Sequence, residues 1–103
     1  MLIKMENPSG GGSAFSTPNK VTVPASGTAT ISASGVTKII VINYDAGETV
    51  IYEGGALKYR IVGSSYYTDP AANTTNVYPS YSGNTITLTS NSSAARNVWV
   101  IYE

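Results

Sequence analysis

Beyond Pro18 the chain is a succession of short runs in which apolar and polar residues alternate, separated by clusters of Gly, Ser, Asn and Asp. Successive side chains of a strand point to opposite faces, so a period of two predicts antiparallel β-structure. VTVP (21–24) and TATIS (28–32) are each followed by the turn ASG, and TKIIVIN (37–43) is followed by YDAG. ETVIYE (48–53) passes through Gly54 and Gly55 into LKYRIV (57–62), the signature of a tight hairpin. A long irregular stretch spans 63–76, and SGN then leads into TITLTS (85–90) and NSSAA into RNVWVIYE (96–103). No segment carries apolar residues at a helical spacing over a helical length. The pattern predicts an all-β protein, an antiparallel β-sandwich of jelly-roll or immunoglobulin-like type with about seven to eight short strands.

The runs differ in how they use their two faces. TITLTS sets Ile86 and Leu88 against Thr85, Thr87 and Thr89, as expected of a strand with one dry and one wet side. TKIIVIN sets Ile39 and Val41 against Ile40 and Ile42, and NVWVIYE sets Trp99 and Ile101 against Val98, Val100 and Tyr102. Neither side of these two runs is polar. A two-layer sandwich buries one face of each sheet, so a strand apolar on both faces calls for a second dry surface. The N-terminal arm, the 63–76 loop or another protein chain could supply it, and a partner chain is the favoured cover. Ile40, Ile42, Val98, Val100 and Tyr102 are the expected interface residues.

Residues 1–18, MLIKMENPSGGGSAFSTP, differ in texture from the rest. An apolar cluster at the start, three consecutive glycines and two prolines suggest a flexible N-terminal arm hinged to a single domain at 19–103. Leu2, Ile3 and Phe15 are its expected anchors on a neighbouring subunit. Four of the eight tyrosines, Tyr66, Tyr67, Tyr78 and Tyr81, lie in or beside the long loop. Tyrosine joins apolar area to a hydroxyl at low entropic cost, so they form a candidate ligand-binding group for an interface or a sugar.

Composition narrows the chemistry. The 103 residues contain 42% hydrophobic and 12% charged residues, with six Lys/Arg balancing six Asp/Glu. A neutral chain without a basic stripe is a poor match for nucleic acid or an anionic membrane, and its longest apolar run is far below a membrane span. Neither does residues 1–13 read as a secretory signal. The absence of Cys and His removes the common nucleophile, general base and zinc ligands, so no catalytic, metal or cofactor residue is expected. Asp45, Glu48 and Asp69 lack the spacing of a calcium loop, and Glu53 ends a strand without an evident carboxylate partner for hydrolysis. The sequons at Asn73 and Asn91 read as turns.

VPASGTATISASGVTKIIVINYDAGETVIY followed by YSGNTITLTSNSSAARNVWVIYE resembles the small β-sandwich virion proteins of tailed bacteriophages, among them capsid decoration (cement) proteins and tail or fibre modules. The resemblance covers about four fifths of the chain and carries no functional residue over position by position. It implies a non-enzymatic structural role in the virion after assembly in the host cytoplasm. The partners it implies are the chain itself, as a symmetric homo-oligomer such as a trimer, and other virion proteins such as the major capsid protein. The alternative is a tail- or fibre-associated module binding carbohydrate or a receptor through the four tyrosines.

Overall fold

A computed structural model describes residues 15–68 and 76–103. These residues form strands and connections without a helix. The strands are β1 (Asn19–Val23), β2 (Thr28–Ser32), β3 (Lys38–Asn43), β4 (Glu48–Glu53), β5 (Ala56–Val62), β6 (Ser65–Tyr67), β7 (Val77–Ser82), β8 (Thr85–Ser90) and β9 (Arg96–Tyr102). Every neighbouring pair is antiparallel. The strands divide into a six-stranded sheet of order β1-β9-β3-β4-β5-β6 and a three-stranded sheet of order β2-β8-β7. The expected β-sandwich is what the chain forms. Its extra strand comes from the stretch read as irregular: β6 is three residues paired to β5, too short to show alternation.

The turns follow from their residues. Glu53 pairs with Ala56 across the two-residue loop Gly54-Gly55, whose φ angles of 61° and 80° suit a type I′ turn. Gly83 and Asn84, at 56° and 63°, close the β7–β8 hairpin in the same way, with asparagine taking the left-handed position it tolerates best after glycine.

The core forms where the two sheets meet. Val23, Ile39, Val41, Val50, Val98 and Val100 from the large sheet pack against Val77, Ile86 and Leu88 from the small one. Tyr52 and Leu57 extend it beside a bulge that shifts the β4–β5 register after Ile51. Between-sheet contacts run from β1 to β2 and β8, and from β3 to β7. β5 reaches the core through Leu57 alone and β6 is exposed along its length, so the far part of this hairpin overhangs the core. Under that overhang the inner side closes with polar groups: Glu48 accepts hydrogen bonds from Arg60 Nε at 2.8 Å and from the Asn76 backbone at 2.9 Å. Asn43 Nδ2 donates to Asn76 Oδ1 at 3.2 Å, tying the same corner together. Glu48 is buried, but an ionic partner and a backbone donor offset its lost hydration.

β9, the run NVWVIYE, lies between β1 and β3, and so within the large sheet. Its end is held from both sides: Ser16 donates its backbone N–H to Tyr102 O at 2.7 Å and accepts from Tyr102 N at its hydroxyl, while Thr37 donates to Glu103 O at 2.8 Å.

Candidate interaction face

Register decides which side chains share the outer face of the large sheet, because residues directly opposite in an antiparallel pair point the same way. Lys20 pairs with Trp99, Trp99 with Ile42, Ile42 with Thr49, Thr49 with Ile61 and Ile61 with Tyr66, giving one row across all six strands. A second row runs Ile101, Ile40, Ile51, Tyr59 across the middle four strands. The rings of Tyr59 and Tyr66 stack with centroids 5.5 Å apart. Ile61, Tyr59 and Tyr66 are exposed by 38, 41 and 56%, and Trp99, Ile101, Ile40, Ile42 and Ile51 are half-buried. The small sheet packs against the other side of the large one, meeting it at β1 and β3.

Polar groups border this surface. At one end Lys38 pairs with Glu53 and reaches toward the Glu103 carboxylate at 3.8 Å. At the other end Thr22 donates to Asn97 Oδ1 at 2.8 Å, and Asp45 accepts from the Asn97 backbone at 2.8 Å. A contiguous apolar centre with a polar rim is the anatomy of a protein-binding surface.

The expected interface residues separate. Ile40 and Ile42 stand on this face. Val98 and Val100 do not: both are 0% exposed and point into the core. Tyr102 pairs with Ile39 and packs against that core from the inner side. The alternation within each run was legible, but the register joining them was not, and pairing Ile40 with Ile101 and Ile42 with Trp99 brings Trp99 and Ile101 outward instead. Of the arm's anchors, Phe15 is 42% exposed with Lys38 Nζ 5.8 Å from its ring centre, while Leu2 and Ile3 lie outside the described residues.

The four tyrosines do not form one group. Tyr66 and Tyr67 are exposed on β6, on opposite sides: Tyr66 stacks on Tyr59, and Tyr67 lies under the Arg60 guanidinium at 5.4 Å. Tyr78 and Tyr81 belong to β7 in the other sheet, where both are partly buried and the Tyr81 hydroxyl donates to Ala33 O at 2.9 Å. Tyr59, which the sequence did not single out, is the partner that Tyr66 has.

The carboxylates are placed as structural groups. Asp45 holds the Asn97 amide and Glu48 holds Arg60, and Asp69 lies outside the described residues. Among the described residues no three acidic side chains gather as metal ligands. A cleft of about 260 Å³ opens between the sheets beside Ile39, Tyr52, Pro79 and Tyr81, small against the usual ligand pocket. Fold and surface define a β-sandwich with one apolar outer face. No protein-family model, curated protein or solved structure matches the chain.

Proposed function

We propose that the protein is a non-enzymatic structural component that works by docking through the outer face of its six-stranded sheet. The observation that carries this reading is the pair of apolar rows across that sheet, centred on Ile40, Ile42, Ile51, Trp99 and Ile101. All five are half-buried on that face. At roughly 25 cal/mol per Å² of apolar surface, covering such a face stabilises a complex by several kcal/mol, provided ordering costs are small. A rigid sheet meets that condition.

The setting we propose is the virion of a tailed phage, with the protein decorating or cementing the capsid. The texture of residues 21–103 supports it, as does a chain that offers a docking face without the usual catalytic side chains. Mass spectrometry of purified particles from a phage encoding this chain tests the setting. The chain should be present at a copy number fitting the capsid lattice; particles lacking it would remove the virion role.

A second reading rests on the projecting β5–β6 hairpin, where Tyr59 and Tyr66 present a stacked aromatic surface. Aromatic faces of this kind stack on sugar rings, which suits a glycan- or receptor-binding module. Glycan-array binding that disappears in Tyr59→Ala with Tyr66→Ala, while the fold persists, would favour it over assembly.

A further inference from the structure

The outer face has a symmetry that its register reveals, and from it we infer that the occupant is a second copy of this chain, seated sheet on sheet about a twofold axis running along the strands between β3 and β4. The inference rests on reading this face as a docking surface. Such an axis keeps each cross-strand row in place and reverses its order, so the first strand of one copy faces the last strand of the other. Applied to the row Ile101, Ile40, Ile51, Tyr59, it sets Ile40 over Ile51 and Ile101 over Tyr59. Applied to the six-strand row, it sets Ile42 over Thr49, Trp99 over Ile61 and Lys20 over Tyr66. At the rim it sets Lys38 of each copy over Glu53 of the other, two opposite-charge pairs from one register position. Self-complementarity of this kind is what an isologous twofold contact requires.

Size points the same way. Six strands about 4.8 Å apart and up to seven residues long make a surface on the order of 500–600 Å² in plane, before side-chain relief is added. A specific interface takes roughly 600–1,000 Å² from each partner, so a second sheet of equal size fits the need. A single extended segment, such as one drawn from residues 1–14, is only about 10 Å wide and would leave most of a six-stranded face wet. Aligned sheets about 10 Å apart, crossing at about 30°, interdigitate their side chains in the way the core of this sandwich already does. The chain carries no net charge, so two copies approach without long-range repulsion.

Sedimentation equilibrium on the full chain tests the pairing, with far-UV circular dichroism and denaturant melts to confirm that each variant folds. The wild type should be a reversible dimer. Ile51→Lys, at the centre, should weaken association at least about a hundredfold. Lys38→Glu and Glu53→Lys should each weaken it about three- to tenfold, because each puts like charges together at two places, and the double swap should recover to within about twofold. A wild type that stays monomeric at its solubility limit overturns the inference, and so does a trimer. A wild-type monomer that dimerises only after removal of residues 1–14 would assign the face to the arm and overturn it too. Failure of the double swap to recover would refute the twofold register. A monomer that nevertheless assembles on particles would reject the pairing while leaving the docking reading intact.

Discussion

The two sheets have the same kind of inner face and opposite outer faces. On the small sheet the outward rows are Thr30, Thr87, Ser80 and Ser32, Thr85, Ser82, joined by Thr28, Thr89 and Tyr78. Hydroxyls cover it almost entirely. On the large sheet the two central rows hold mostly isoleucine, tryptophan and tyrosine, with Lys20 and Thr49 among them. Both use β-branched residues, which favour strands, so propensity does not explain the difference. Threonine and isoleucine have similar shapes but hydrate differently, and the contrast therefore reports what each surface meets. One suits water; the other, on the reading proposed above, suits a protein partner.

Substitutions can break that contrast in graded steps. The largest loss should come from the shared interior: Leu88→Ala empties a fully buried site and should cost about 3 kcal/mol in urea denaturation, the same whether the protein is dilute or concentrated. Next is Glu48→Ala, which removes the buried ion pair with Arg60 and an acceptor from the Asn76 backbone; about 2 kcal/mol is expected, with the β5–β6 overhang loosened first in hydrogen exchange. Ile40→Thr with Ile42→Thr, which gives the large sheet the surface of the small one, should lower the stability of the single chain by no more than about 1 kcal/mol and yet abolish concentration-dependent association. The reverse exchange, Thr85→Ile with Thr87→Ile, should leave stability nearly unchanged while creating a second sticky face, visible as higher oligomers in light scattering. Gly54→Ala at φ 61° should cost about 1 kcal/mol by straining the hairpin and should not alter association.

Much of this architecture was readable from the residues, and the reasons for the gaps are specific. β8 announced itself because apolar and polar residues alternate over six positions, and β3 and β4 because runs rich in β-branched residues are bounded by turn residues. Gly54-Gly55 and Gly83-Asn84 marked hairpins because few other residues accept their backbone angles. The surplus of apolar side chains on TKIIVIN and NVWVIYE was also plain. Which of them share a face was not, since a shift of one residue in register exchanges the two sides, and only the ladder shows that Trp99 stands beside Ile42 while Val98 and Val100 turn inward. The unequal division into six and three strands was equally hidden, because it depends on long-range pairings such as β1 with β9. Tyr66, Tyr67, Tyr78 and Tyr81 are close in sequence, but the fold sends Tyr78 and Tyr81 to the other sheet.

Trp99, the single tryptophan, lies in the apolar row at the heart of this account. Acrylamide quenching of its fluorescence, measured as protein concentration is raised, asks directly whether that row becomes covered. The account predicts that quenching falls with concentration in the wild type and stays high in Ile51→Lys. Quenching that is identical in the two proteins at every concentration would contradict it.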